Sequence, residues 1–291
     1  MNEIHSIKNI EPPYYFVPNS SAQPIRMSVS ILGIGLGASG WVNNFVLGKW
    51  ITIFSFICLL IVLYLWFHES ILESQKGLYG SRIDMSYRWG MGWFIFSEIM
   101  FFFGFFGALW YIRNITIPWL GDLDHKIILW PNFQAVWPNS GPGNIVDQFE
   151  IVNAFWLPTI NTALLLTSGL TITISHNFLR KNNCKQSSFW LAITIIFGIS
   201  FIIFQILEYM HAYSELNLKF NSGIYGSLFY MLTGFHGFHV IIGTIMLTVV
   251  FIRLMKEHLT QNKHFVFEAV AWYWHFVDVI WLGLYLFVYW F

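Results

Sequence analysis

The sequence predicts an all-α integral membrane protein with seven transmembrane helices, and three observations lead there. Charged residues are only 10% of the 291, with 15 Lys plus Arg matched by 15 Asp plus Glu, against roughly 25% in an ordinary soluble domain. Aromatic residues reach 20%, through 15 Trp, 13 Tyr and 30 Phe, and the mean hydropathy is +0.57. Long apolar runs recur along the chain, near the roughly 20 residues that cross a bilayer as a helix. A soluble globule so poor in charge would expose large apolar patches and aggregate. Disorder, a collagen-like repeat, a disulfide scaffold and a nucleic-acid binder are excluded by the same numbers.

Only helices or closed barrels span membranes, and these runs are too long and too little alternating for barrel strands. Met27–Gly48 is uncharged and Gly-rich, with Gly33 and Gly37 at the small-xxx-small spacing that lets two helices approach. Trp50–Phe67 is uncharged, and Trp89–Ile112 is interrupted only by Glu98. Ile151–Leu179, Gln186–Leu207 and Phe220–Ile252 contain no Asp, Glu, Lys or Arg. Phe265–Phe291 completes the set and carries Glu268, His275 and Asp278. The expected organisation is one membrane domain over 1–291: an N-terminal segment 1–26, a two-helix part 27–73, a connection 74–88, and a five-helix part 89–291 with a long loop at 113–150. Trp119, Trp130-Pro131, Trp137-Pro138 and Gly141-Pro142-Gly143 point to an ordered, interface-lying loop.

Lys and Arg in the connections set orientation. Lys8, Arg26, Lys76, Arg82, Arg88, Arg180, Lys181, Lys185, Arg253, Lys256 and Lys263 fall on one side, and Lys49, Arg113, Lys126 and Lys219 on the other. The split, 11 to 4, puts the N-terminus in the cytoplasm or matrix and the C-terminus outside. The first 26 residues, with Pro12-Pro13-Tyr14-Tyr15-Phe16, lack the basic start and apolar core of a signal peptide. Cys58 lies in an apolar run and Cys184 in a polar stretch. Neither a disulfide framework nor a Cys-x-x-Cys metal or haem motif is present.

Polar groups inside the spans carry whatever chemistry there is. Glu98 lies ten residues after Arg88, about 15 Å into the helix and near the midplane. Phe94, Ile95, Phe96, Ile99, Phe101 and Phe102 surround it in sequence, so desolvation is expected to favour the neutral acid. A proton relay and a structural hydrogen bond both remain open for it. Glu208 and His211 form a single Glu-x-x-His pair near a helix end; a di-iron site needs two such pairs and two more carboxylates, so interfacial hydrogen bonding is the simpler reading. His236 and His239 share a helix face among Gly234, Gly237 and Gly243. Haem or metal ligation would require further partners; bonding to neighbouring helices requires none. Glu268, Trp272, His275 and Asp278 line one stripe of the last helix, with Asp278 placed to orient His275. No complete catalytic or metal constellation results.

Three stretches resemble the cytochrome c oxidase subunit III family. They are Phe94-Ile-Phe-Ser-Glu98-Ile-Met-Phe-Phe-Phe-Gly104-Phe-Phe-Gly107-Ala-Leu-Trp110, Thr233-Gly-Phe-His236-Gly-Phe-His239-Val-Ile-Ile-Gly243-Thr, and Phe267-Glu268-Ala-Val-Ala-Trp272-Tyr-Trp274-His275-Phe-Val-Asp278-Val-Ile-Trp281. Leu157-Pro-Thr-Ile-Asn161-Thr and Glu208-Tyr209 fill the pattern between them. The resemblance implies a subunit of the haem-copper oxidase that oxidises cytochrome c, reduces oxygen to water and pumps protons. It implies two N-terminal helices splayed from a five-helix bundle, with phospholipids in the cleft and Glu98 as the buried acid beside it. Haem and copper are implied for the partners, catalytic subunit I and copper-bearing subunit II, with no cofactor and no metal on this chain. The chain's implied part is support: stability during turnover, lipid binding and proton uptake, in a bacterial plasma membrane or a mitochondrial inner membrane.

Two departures fall at the family's lipid-headgroup positions. Leu72-Glu73-Ser74 stands where the family often has Arg-Glu-Ser, and Gly77-Leu78-Tyr79-Gly80 where it often has Gly-x-His-Thr. His68, Glu73, Tyr79, Arg82 and Arg88 are the expected headgroup or structural polar residues, with Tyr79, Arg82 and Arg88 in the substituting role. Alternative readings are the third subunit of a quinol oxidase, which commonly has five helices; a membrane di-metal enzyme using Glu98, Glu208, His211, His236 and His239; and a proton channel or transporter.

Overall fold

In a computed structural model of the chain, residues 16–18, 20–142, 148–261 and 263–290 are described, except for the side chains of Lys126 and Ile127. Lys8, Pro12 to Tyr15, Gly143 and Phe291 of the sequence reading lie outside these residues. Seven helices are long and apolar enough to cross a membrane, as expected. They are α1 (Gln23–Val42), α2 (Gly48–Gln75), α3 (Ser81–Tyr111), α6 (Leu157–Arg180), α7 (Cys184–Ser214), α8 (Gly223–Met255) and α9 (Phe265–Leu284). A π-turn at Ile112–Thr116 carries α3 into α4 (Ile117–Leu120), α5 (Leu123–Ile128) follows, and a second π-turn at Tyr285–Trp290 extends α9. Two compact units result, 1–89 and 90–291.

In the first unit α1 and α2 pack through small residues, because lipid offers apolar side chains no reason to leave it and close backbone contact becomes the attraction. The expected pair does this: a Cβ on Gly33 would strike Ser55, and one on Gly37 would lie 2.6 Å from the Thr52 nitrogen. Gly48 faces the backbone of Gly40 and Trp41 in the same way. Larger apolar side chains, including Trp50 and Phe54, point outward. Gly37→Leu is expected to cost about 1–3 kcal/mol or more through overpacking against backbone. Loss of resistance of the Asn43–Leu47 turn to proteolysis would report it.

The helices outrun the apolar runs. The expected connection 74–88 is helical except for 76–80, where Gly77 has φ +72°. Asp84 and Arg88 form an i,i+4 pair at 2.8 Å on the extended start of α3, so charge marks the end of the hydrocarbon and not of the helix. α7 likewise continues to Ser214, seven residues past the expected Leu207. α1 is displaced the other way: it begins at Gln23 with Pro24 in its first turn and ends at Val42. Asn43 and Asn44, the latter at φ 59°, close it before Gly48.

In the second unit α6 and α9 are antiparallel and joined by polar rungs. Thr159 Oγ1 and Tyr285 OH lie 2.8 Å apart, Trp281 Nε1 donates to Thr162 Oγ1 at 2.9 Å, and Trp274 Nε1 donates to Ser168 Oγ at 2.8 Å. Thr173 Oγ1 and His275 Nε2 follow at 3.3 Å. Thr171–Thr194 joins α6 to α7, and Tyr209–Thr233 joins α7 to α8. Interhelical hydrogen bonds in membranes contribute about 0.6 kcal/mol each on average, at most about 1.7. Trp274, fully buried, fills the space left by Gly198 and Gly243. Of the glycines around His236 and His239, Gly243 therefore admits a tryptophan and not, as expected, a second backbone; an added Cβ at Gly234 would come no nearer than 3.8 Å to Tyr209 OH, and at Gly237 it would meet nothing within 4 Å. Where described, the long loop makes local and longer-range hydrogen bonds: Asn139 Nδ2 donates to Gln134 O and Val136 O, and Glu150 N to Leu216 O. Its first part, expected as loop from Arg113, is helical through Leu120.

Candidate functional site

Glu98 was expected among apolar neighbours that could not support its charge. Along α3 that holds, but α8 supplies a partner: His239 Nε2 lies 2.9 Å from Glu98 Oε2. Sequence distance hides this contact, since 141 residues separate the two. His239 Nδ1 lies 2.6 Å from the Phe235 carbonyl, an oxygen that can only accept. Nδ1 therefore carries a proton, and the Glu98–Nε2 contact needs one more. Written as carboxylic acid and imidazole, or as carboxylate and imidazolium, the pair holds that single proton between two heavy atoms. Phe101, Phe102, Tyr273 and Phe276 ring His239 with centroids 5.1–6.4 Å away, walling the pair with low-dielectric groups. The Glu98 side chain nevertheless keeps 24% of its surface accessible. The pair thus lies partly open within an aromatic wall.

His236 has a different setting. It is 1% exposed, between Phe201 and Trp281 with ring centroids 5.8 and 5.2 Å away. Both nitrogens of His239 are engaged. Glu208, near a helix end in the sequence reading, is fully buried because α7 runs on and the Tyr285–Trp290 turn covers it. Tyr289 OH and Gln205 Nε2 donate to it, while His211 pairs with Glu215 at 3.1 Å. The five residues of the di-metal alternative thus have four separate sets of partners. Among the described residues, the one group of three or more potential ligands lies elsewhere, at His176, His264 and Glu268.

The expected stripe on α9 divides. Asp278 is buried against Gly169 and its Oδ2 lies 3.8 Å from His275 Nδ1, beyond hydrogen-bond range. Glu268 joins His264 and His176 instead, two residues that sequence reasoning did not single out. The i,i+4 spacing of His264 and Glu268 was the available signal.

In the first unit, Tyr79 OH donates to Glu73 Oε2 at 2.8 Å. Phe16, Tyr79 and Tyr87 line a cavity of about 210 Å³ with Glu73, Ile83 and Ser86. His68 is exposed and stacks on Tyr64; Arg82 is exposed and Arg88 is held by Asp84. Burial, then the neighbouring Tyr87 and Glu73, pushes the Tyr79 phenol well above its ordinary range. The folded chain thus favours the neutral phenol. Its contribution is complete below the ordinary tyrosine value of about 10 and is lost as pH rises through the raised one. Tyr79→Phe is expected to cost about 1 kcal/mol, a deficit that closes at strongly alkaline pH in paired unfolding titrations.

These features define a polytopic α-helical membrane protein whose polar groups pair between helices, among them a carboxylate–imidazole contact between α3 and α8. The chain belongs to the cytochrome c oxidase subunit III family, whose model matches residues 12–291. Proteins called cytochrome c oxidase subunit 3 are similar over nearly their whole length. That of Chondrus crispus is 37% identical over 97% of this chain and 96% of its own. Those of Lycodon semicarinatus and Drosophila melanogaster are 39% and 37% identical, over 95% and 96% of this chain and 96% of each relative.

Proposed function

We propose that the chain is a non-redox subunit of a membrane haem-copper oxidase that takes electrons from cytochrome c, reduces oxygen to water and pumps protons. Its partners are the catalytic haem-copper subunit I and the copper-bearing subunit II, in a respiratory membrane. The observation that supports the non-redox part is the setting of the candidate ligands: His239 is bonded through both nitrogens, and His236, whose nitrogens make no hydrogen bond, is enclosed between aromatic rings. Glu98 and His239 serve proton uptake, because their contact holds a proton that can be exchanged without leaving a naked charge in hydrocarbon. The end bearing Arg180, Lys181, Lys256 and Lys263 faces the cytoplasm or matrix, which the excess of Lys and Arg supports.

Phospholipid binding is the second part of the role. Glu73 beside Phe16, Tyr79 and Tyr87 offers a carboxylate and ring faces to the ammonium of a zwitterionic headgroup. The test is a reduced-minus-oxidised spectrum with haem and copper determinations, taken on the complex isolated through this chain and then on the separated chain. Haem and copper are expected in the complex and neither on the chain. Haem or copper retained in stoichiometric amount by the separated chain would overturn the non-redox assignment.

A further inference from the structure

Below the polar rungs, where α6 ends and α9 begins, His176, His264 and Glu268 converge, and the proposed oxidase role uses none of them. His264 Nε2 lies 3.0 Å from Glu268 Oε1, and His176 Nε2 lies 3.9 Å from the same oxygen. One ligand atom from each residue falls within 4.8 Å of the other two.

The orientation of His264 is the informative feature. Its Nδ1 lies 3.2 Å from the Thr260 carbonyl. That oxygen can only accept, so Nδ1 carries the ring proton and a neutral His264 turns the Nε2 lone pair toward the Glu268 carboxylate. Despite the short distance, Nε2 makes no hydrogen bond there; Nε2 of His176 is likewise buried without one. A neutral His264 and the Glu268 carboxylate turned toward each other repel unless a proton or a metal cation lies between them. A ring with one nitrogen bound to a backbone carbonyl and the other turned to a shared point is how a metal-binding histidine is held.

Neighbouring groups position the two rings. Paired hydrogen bonds between Thr260 and Lys263 hold the accepting carbonyl. Phe267, 1% exposed, stacks on His176 at 5.4 Å and 17°. Two imidazoles and one carboxylate suit zinc, whereas magnesium and calcium take oxygen ligands. Tetrahedral zinc at about 2.0–2.1 Å from each ligand sets neighbouring ligand atoms about 3.3 Å apart. The observed 3.0 and 3.9 Å therefore need only side-chain rotation, with water completing the fourth position. We propose that His176, His264 and Glu268 form a zinc-binding site that clamps the end of α6 to the start of α9. The nearby Arg180 opposes the cation, and Glu268 offsets it.

The test uses the intact complex, stripped with a chelator and titrated with zinc. Wild type is expected to take up one more equivalent than His264→Asn or Glu268→Gln complexes. Cobalt is expected to give tetrahedral d–d absorption that both variants lose. Zinc should also shield His176 and His264 of the wild-type complex from diethylpyrocarbonate, mapped by mass spectrometry, a readout independent of whether variants assemble. Equal zinc uptake in wild type and assembled variants, or labelling of both histidines unchanged by zinc, would overturn the proposal.

Discussion

Glu98→Gln is expected to leave the chain in its complex and to slow proton uptake during turnover. The amide matches the carboxyl group in size, and its NH2 can donate to His239 Nε2 across the present 2.9 Å. It cannot give up or accept a proton, so the contact persists and the exchange does not. Uptake should fall by roughly tenfold at most, well short of the 10²–10⁴ contributed by an acid or base at a reacting bond. His239→Gln should give the same phenotype, because the shared proton needs both partners. Stopped-flow measurement of proton uptake, with the haem spectrum as a control on assembly, distinguishes the outcomes. Unaltered uptake in both variants would leave the pair a structural contact between α3 and α8.

Trp274→Ala is expected to loosen the second unit most. The indole is fully buried, donates to Ser168 and occupies the space left by Gly198 and Gly243. Its removal takes away a large packed side chain and one rung of the α6–α9 ladder, a loss of about 3–5 kcal/mol. Thermal release of the chain from its complex should move to lower temperature. Gly198→Ala supplies the complementary measurement: beside Trp274 an added Cβ would lie 2.8 Å from the ring and 2.9 Å from Thr244 Oγ1 and destabilise, whereas in the Trp274→Ala background the ring contact is gone and only the hydroxyl must give way. The two effects should therefore be non-additive, with coupling in the range expected of touching residues. Additive losses would mean that the indole and the glycine do not share that space.

Much of this architecture is legible in the sequence because hydrophobic length and charge placement are local properties. Seven spans follow from seven apolar runs, and Gly33 and Gly37 mark the α1–α2 seam. Helix ends are less legible: a bilayer limits where charge can sit, but a helix continues into water while its backbone bonds hold, as α7 does to Ser214. The contacts that matter chemically are long-range. Nothing near Glu98 in sequence announces His239, and nothing near Glu208 announces Tyr289, whose phenol reaches it from the terminal π-turn. His236 and His239 have equal standing as a sequence pair, yet their packing separates a sealed core histidine from a proton-sharing one. His264 and Glu268 display helical spacing, but only α6 brings His176 to them.

The most direct measurement of the supporting role is depletion and return of this chain in the purified oxidase. Stripped complex is expected to keep its haem spectrum and initial cytochrome c oxidation, to take up protons more slowly, and to lose activity sooner over repeated turnovers. Adding back the wild-type chain with phospholipid should restore uptake and lifetime, while the Glu98→Gln chain should not restore uptake. Loss of haem or of initial electron transfer on depletion would contradict the account, placing this chain in the redox machinery itself.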